Sequence, residues 1–106
     1  MSYGINIDSI LKHIPEDNVK IQSTLQGFII DLYAGPEDMV RDSYFDKKTK
    51  ELHLTLDLFR GTQAGLKEIY HARFPEALEA VVVDEVIYRD AHFNAINGRH
   101  HPRPSE

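Results

Sequence analysis

The chain has 106 residues, a length typical of one globular domain, and its 42% apolar and 27% charged residues are close to globular averages. Its 17 acidic residues against 12 basic ones give a net charge of −5, which disfavours general nucleic-acid binding because phosphate backbones repel acidic surfaces. Cysteine is absent, which excludes disulfides, cysteine-ligated zinc and a thiol nucleophile.

Two features of the sequence bear on where the protein resides. The longest unbroken apolar run, residues 80–83, is far shorter than the roughly 20 residues that cross a bilayer. The first residues also lack the basic segment and apolar stretch of a secretory signal. We therefore expect a cytoplasmic protein without a membrane partner.

The N-terminal segment has the signals of a short helix. Asp8 or Ser9 can cap it, because either side-chain oxygen can accept hydrogen bonds from the free N–H groups of a first helical turn. Ile10, Leu11 and Ile14 give the helix an apolar stripe, and Pro15 ends it, since the residue before a proline is pushed out of the helical region. We therefore predict one short helix ahead of the first strand.

Two stretches downstream of this helix predict β-structure. Residues 19–22 alternate between apolar and polar side chains, which is the period of a half-buried strand. Residues 28–33 are rich in apolar and aromatic side chains, and Gly27 before them can form a bulge or a break. The pattern predicts either one long bent strand or two short ones.

Residues 40–58 carry the clearest local signal, that of a β-hairpin. A polar, charged loop at residues 46–50 separates two strand-forming stretches. The second stretch alternates strictly, with Leu52, Leu54, Leu56 and Leu58 on one face and His53, Thr55 and Asp57 on the other. We expect the leucine face to be buried and the polar face to be exposed to solvent.

The segment after this hairpin has an apolar pattern of helical period. Its apolar residues fall at spacings of three, four and eight from the first, and Thr62 can serve as the N-cap. These residues are Leu66, Ile69, Tyr70 and Phe74. We predict an amphipathic helix over residues 62–74 that packs on the leucine face and ends at Pro75.

The last predicted strand covers residues 81–89, where β-branched residues dominate. Asp84 and Glu85 interrupt the alternation, which a bulge at these two acids would explain. A right-handed crossover through the predicted helix would place this strand parallel to residues 52–58. A helix that only turns the chain back would leave it antiparallel.

Together these elements predict an α+β fold made of one small domain. Its centre would be a mainly antiparallel sheet of about four to five strands, with a short N-terminal helix and the amphipathic helix packed on one face. We place the domain at residues 1–98. Residues 99–106 contain arginines, histidines and prolines, and we expect a flexible C-terminal tail there.

The densest group of reactive side chains lies near the C-terminus. Asp90 and His92 are the candidate catalytic residues, and His92, His100 and His101 are the candidate metal ligands, because imidazole and carboxylate groups bind divalent transition metals. Neighbouring asparagines would complete the residue set of a metal-dependent nuclease. Solvated histidines in a tail are the simpler interpretation.

A second candidate site is the polar face of the leucine strand. His53, Thr55 and Asp57 would line any groove there, together with Tyr44 from the preceding strand. A small-ligand pocket could also form between the sheet and the predicted helix, with Tyr70, Phe74 and Tyr88 in its wall. An ordinary solvated sheet face is the simpler interpretation of the four residues.

No motif in the chain is specific enough to name a reaction, and no cofactor is indicated. A sound core, an excess of acidic residues and a small size favour a binding or regulatory module over an enzyme. Such a module would act by protein–protein contact, with a symmetric dimer as one form, and its charge would suit a basic partner that it neutralises. The alternatives are a metal-dependent hydrolase or nuclease that uses the C-terminal cluster and a small-ligand binder.

Overall fold

The computed structural model describes residues 4–75 and 77–90. Helix in this part of the chain is confined to α1 (Asp8–Leu11) and one 3₁₀ turn (Glu16–Asn18). The strands are β1 (Val19–Thr24), β2 (Gly27–Ala34), β3 (Met39–Asp46), β4 (Glu51–Phe59), β5 (Lys67–Phe74) and β6 (Ala80–Arg89). The fold is therefore mostly β, with very little helix.

The strands form two small sheets of three strands each. One sheet has the order β1–β2–β5 and is antiparallel throughout. The other has the order β3–β4–β6, in which β3 pairs antiparallel and β6 pairs parallel with β4. This differs from the predicted single sheet of four to five strands, because β1, β2 and β5 pair among themselves rather than with the hairpin. The direction of the last strand, which the sequence left open, is parallel.

The prediction of an amphipathic helix over residues 62–74 is wrong. β5 (Lys67–Phe74) occupies its second half and pairs with β2, and residues 61–66 contain no helix. Phe74 lies directly opposite Phe28 in this pairing. A strand that pairs with β2 gains a ladder of backbone hydrogen bonds and apolar cross-strand contacts, and tertiary contacts of this kind override a weak helical pattern.

Both sheets contribute their inner faces to one hydrophobic core. The predicted leucine face is largely confirmed, since Leu52, Leu54 and Leu56 are at most 1% exposed, while Leu58 is only half-buried. The other fully buried apolar side chains are Ile10, Ile14, Ile30, Leu32, Val81 and Val86. The core therefore fills the space between the sheets. Ile10 and Ile14 of the apolar stripe predicted for the N-terminal helix belong to it, whereas Leu11 of that stripe is 36% exposed.

Three local predictions are confirmed by the strand pairing. β3 and β4 form the hairpin, with Asp46 opposite Glu51 across the predicted loop. The register between β4 and β6 skips Asp84, which is the bulge that the two adjacent acids suggested. β1 and β2 are two short strands, and Gly27 opens β2 with a φ of +133°, where an added Cβ would lie 1.7 Å from the Phe74 carbonyl oxygen. Glycine is therefore required at this turn.

The start of α1 differs from the prediction, since neither Asp8 nor Ser9 caps the helix. Ile7 occupies the N-cap position and provides no side-chain hydrogen bond. The Asn6 Oδ1 atom instead accepts from the Asp8 N–H at 3.0 Å, and the Ser9 Oγ atom accepts from the Val83 N–H at 2.8 Å. Ser9 therefore ties the helix to β6.

The predictions about the chain as a whole have different outcomes. Within residues 4–75 and 77–90, no helix combines the length and the apolar character needed to span a membrane. The domain boundary at residue 98 and the flexible tail at 99–106 lie outside the described residues, and both stay predictions. The cytoplasmic location is a prediction as well.

Candidate functional site

The polar face of β4 brings two of its four candidate binding residues into contact. The Tyr44 and His53 rings are stacked, with centroids 4.8 Å apart and planes inclined by 5°. Thr55 lies half-buried further along the strand, while Asp57 is completely buried. The four residues therefore do not line one open groove.

Asp57 forms the buried centre of an ion-pair network with two arginines. Its side chain is 0% exposed and accepts hydrogen bonds from the guanidinium groups of Arg41 and Arg89. Burial by itself raises the pKa of this carboxyl group, but the two cations outweigh that effect and hold the Asp57 pKa below its ordinary value. The prediction that Asp57 faces solvent is wrong, because Arg41, which the β3–β4 register skips, and Arg89 at the end of β6 cover it.

His53 lies between two carboxylates on the same face. Its Nδ1 atom is 2.9 Å from Asp84 Oδ1, and its Nε2 atom is 3.1 Å from Glu51 Oε1. The hydrogen bond with Asp84 raises the His53 pKa above its ordinary value, against the opposing effect of burial. The two carboxylates contact opposite ring nitrogens of His53. The three side chains therefore form a bridge of ion pairs, and their ligand atoms do not converge on one metal ion.

We expect protonated His53 to stabilise the fold. Because its pKa is higher in the folded chain than in the unfolded chain, its contribution is complete below about pH 6.5 and is lost as the pH rises through the folded pKa. Urea unfolding at about pH 6 and about pH 9 measures how far the free energy of unfolding falls between these two pH values. This fall should be smaller in His53→Gln than in the wild type. An equal fall in the two proteins would contradict this assignment.

The C-terminal candidates are mostly beyond the described part of the chain. Asp90 follows directly after β6 and is half-buried. His92, His100 and His101 lie outside the described residues. The predicted catalytic pair and metal cluster at this end of the chain therefore stay predictions.

A group of metal-binding residue types that the sequence did not single out lies on the other sheet. Asp31 of β2 and Glu68 and His71 of β5 each present one donor atom, and the three atoms lie within 4.8 Å of one another. The His71 Nδ1 atom also contacts the Asp31 carboxylate directly. We call these three residues the triad, and no other such group is found within residues 4–75 and 77–90.

The strand register explains how the three side chains meet. Asp31 lies opposite His71, and Tyr33 lies opposite Glu68. In a regular strand, residues three positions apart, such as Glu68 and His71, would face opposite sides of the sheet. The register skips Ile69, and this bulge turns both side chains to the face that carries Asp31. The other face of β2 belongs to the core, so the triad lies on the outer face of its sheet.

The triad combines one buried carboxylate with two exposed side chains. Asp31 is 9% exposed, whereas Glu68 and His71 are exposed. The hydrogen bond with His71 lowers the Asp31 pKa in spite of burial. The adjacent Asp31 carboxylate, through a hydrogen bond to Glu68, raises the Glu68 pKa. The two carboxyl groups thus lie so close together that their negative charges oppose each other, and a cation between them can neutralise both.

The donor types of the triad define what it can do chemically. Two carboxylate oxygens and one imidazole nitrogen are ligands that first-row divalent metal ions accept. Catalytic zinc sites use three protein ligands and leave a further position to water. Because Glu68 and His71 are exposed, the triad can bind an ion that solvent still reaches.

The sequence carries only a weak signal for this site. Glu68 and His71 are three residues apart in a stretch with a helical pattern, and Asp31 belongs to a distant stretch that only the β2–β5 pairing brings near. The interpretation of the triad therefore depends on its geometry. No known protein family, curated protein or solved structure matches the chain.

Proposed function

We propose that this chain binds a divalent first-row transition-metal ion, such as zinc or manganese, at Asp31, Glu68 and His71. The observation that carries the proposal is the convergence of three donor atoms within 4.8 Å. Imidazole nitrogen suits zinc and related ions, and carboxylate oxygens also suit manganese. The exposed side of the site suits an ion that stays in contact with solvent.

The positions of the three residues in the fold support the same function. Asp31 and His71 are direct cross-strand partners, and β2 is the central strand of its sheet. Ligands on paired strands are held more rigidly than ligands on loops, so less ordering is needed when an ion binds. The bulge at Ile69 is also the type of irregularity that commonly re-aims a side chain near a functional site.

Calorimetric titration of the metal-free full chain with zinc chloride tests this proposal. We expect one binding site per chain, and we expect His71→Ala to weaken binding by at least about tenfold. Loss of a group that merely supports a metal ligand already lowers affinity by about 10–100-fold. Glu68→Gln, which keeps the size of the side chain, should weaken binding in the same direction. Cobalt gives a second readout, because its visible spectrum should change with the wild type and not with His71→Ala.

Two controls separate the triad from the other histidines of the chain. His53→Ala removes an imidazole that also contacts two carboxylates, and it should leave the zinc affinity unchanged. A double variant, His100→Ala with His101→Ala, removes two candidate ligands of the C-terminal cluster. If the double variant abolished binding and His71→Ala did not, the triad would not be the metal site. Titrations without heat and without a cobalt spectrum would also contradict the proposal.

The other functional hypotheses are not replaced by this one. An acidic module that acts by protein contact, alone or as a symmetric dimer, stays a prediction, since nothing within residues 4–75 and 77–90 identifies a partner. The metal-dependent hydrolase or nuclease that would use Asp90 and His92 also stays a prediction. Its proposed ligands follow β6, whereas the triad belongs to β2 and β5.

A further inference from the structure

A cavity of about 270 Å³ lies at one end of the molecule, between the two sheets. Its walls come from β2, β4 and β6, from the segment after α1 and from the connection between β4 and β5. The apolar lining consists of Ile14, Ala34, Leu58, Phe59, Leu66 and Tyr88. Leu66 is 64% exposed, so a ligand bound against it would remove apolar surface from water.

The rim of this cavity is held by hydrogen bonds between two loops. The Asp38 carboxylate accepts from the N–H groups of Gly35 at 3.0 Å and Phe59 at 2.8 Å. The Gln63 side chain donates to Asp38 at 3.3 Å and accepts from the Glu37 N–H at 2.7 Å. An added Cβ at Gly35 would lie 2.3 Å from Gln63 Oε1, so glycine permits the close approach of the two loops. The rim is therefore formed before any ligand arrives.

The rim of the cavity carries a cation that can pair with an anionic ligand, although the whole chain has a net charge of −5. Asp38 already accepts three N–H groups, which stabilise its negative charge within the rim. Arg60 is another lining residue, and its guanidinium lies 4.9 Å from the centre of the ring of Tyr88, which also lines the cavity. No carboxylate within residues 4–75 and 77–90 forms an ion pair with Arg60. His13 lines the same cavity.

We propose that this cavity binds a small organic anion with an apolar body, of the arylalkanoate or branched-chain carboxylate class. The carboxylate of the ligand pairs with Arg60, and its apolar body lies against Leu58, Leu66 and Tyr88. The volume sets the size of the ligand, because typical ligand pockets measure about 300–1,000 Å³ and this one lies just below that range.

This site is separate from the proposed metal site. The cavity lies between the sheets and is lined by residues of both, whereas the triad lies on the outer face of one sheet. Neither proposal depends on the other, and the tests use different ligands and different variants.

Titration of the isotopically labelled full chain with phenylacetate, followed by NMR, tests the anion site. We expect saturable shifts of the backbone amides of Gly35, Arg60 and Leu66. Arg60→Gln should weaken phenylacetate binding by about fivefold, the effect of losing a partly exposed ion pair, and should change the affinity for uncharged phenylacetamide by less than about twofold. Leu66→Ala should weaken both ligands, because each loses the same apolar contact.

Matched control variants show whether these effects are local. Arg73→Gln removes an exposed arginine on the outer face of β5, and Leu25→Ala removes a fully exposed leucine in the β1–β2 turn. Both should bind phenylacetate like the wild type. The proposal fails if phenylacetate up to about 10 mM leaves the cavity amides unshifted, or if Arg60→Gln binds phenylacetate as the wild type does.

Discussion

Replacing Asp57 with asparagine should lower the free energy of unfolding by about 3–5 kcal/mol, the usual cost of removing one partner from a buried ion pair. The Asp57 side chain is 0% exposed, and Arg89, whose side chain is 15% exposed, cannot recover its hydration when the carboxylate is lost. The Arg41 side chain is 52% exposed and can turn to water, which places the expected loss near the lower end of that range. Urea unfolding followed by far-ultraviolet circular dichroism measures it.

Asp42→Asn is the matched control for this prediction. Asp42 is an exposed residue of β3, close to Arg41 in sequence, and its replacement makes the same change in net charge. Its effect should stay within about 0.5 kcal/mol, as for most surface substitutions. If Asp57→Asn lost less than about 1 kcal/mol, Asp57 would not be the buried centre of an ion-pair network.

The same carboxylate predicts how the fold responds to acid. The Asp57 pKa is lower in the folded chain than in the unfolded chain, where a carboxyl group has a pKa of about 3.9. Its stabilising contribution is therefore present above about pH 4 and is lost as the pH falls through the folded pKa. The difference in the free energy of unfolding between the wild type and Asp57→Asn should shrink over that range. A constant difference would contradict the lowered pKa.

Strand patterns were the most informative part of the sequence, for a physical reason. The period of two in β4 depends on side chains that alternate about one backbone, so it can be recognised before any pairing partner is known. The bulge at Asp84 could be predicted for the same reason, since two adjacent acids break the alternation. Local signals do not specify which strands pair, and the division into two sheets of three strands could not be predicted from them.

The failure of the helix prediction over residues 62–74 has a specific cause. Tyr70, Ala72 and Phe74 alternate as a strand does, and each lies opposite an inward-facing residue of β2. The bulge at Ile69 adds one residue ahead of them, which shifts the apolar pattern toward a spacing of three and four. A bulged strand and a short amphipathic helix therefore produce similar sequence patterns.

The same bulge explains why the candidate site could not be predicted from the sequence. With a helix over residues 62–74, Glu68 and His71 would share a helix face, and Asp31 would have no reason to lie near them. The β2–β5 register and the skipped residue Ile69 are both needed to bring the three donors together. Asp57 shows the opposite case, because its alternating position predicted exposure and two arginines from other strands bury it.

Replacing Leu56 with alanine should lower the free energy of unfolding by about 2–5 kcal/mol, as is typical for a buried leucine. Leu56 is 0% exposed, and β4 is the central strand of its sheet, with Val40 and Val86 as its neighbours on β3 and β6. Paired strands on both sides limit how far the structure can close around the lost side chain, so most of the new cavity remains. Urea unfolding followed by tyrosine fluorescence provides the measurement.

Leu58→Ala is the matched control, because it makes the same change on the same face of the same strand. Leu58 is half-buried and lines the cavity at the end of the two sheets, so its replacement enlarges an existing space rather than opening a new one. We expect a loss of about 1 kcal/mol, from the smaller apolar area returned to water. Equal losses at the two positions would mean that the core continues unchanged along the whole leucine face, as the alternation alone predicts. The cavity proposed to bind an organic anion would then be closed.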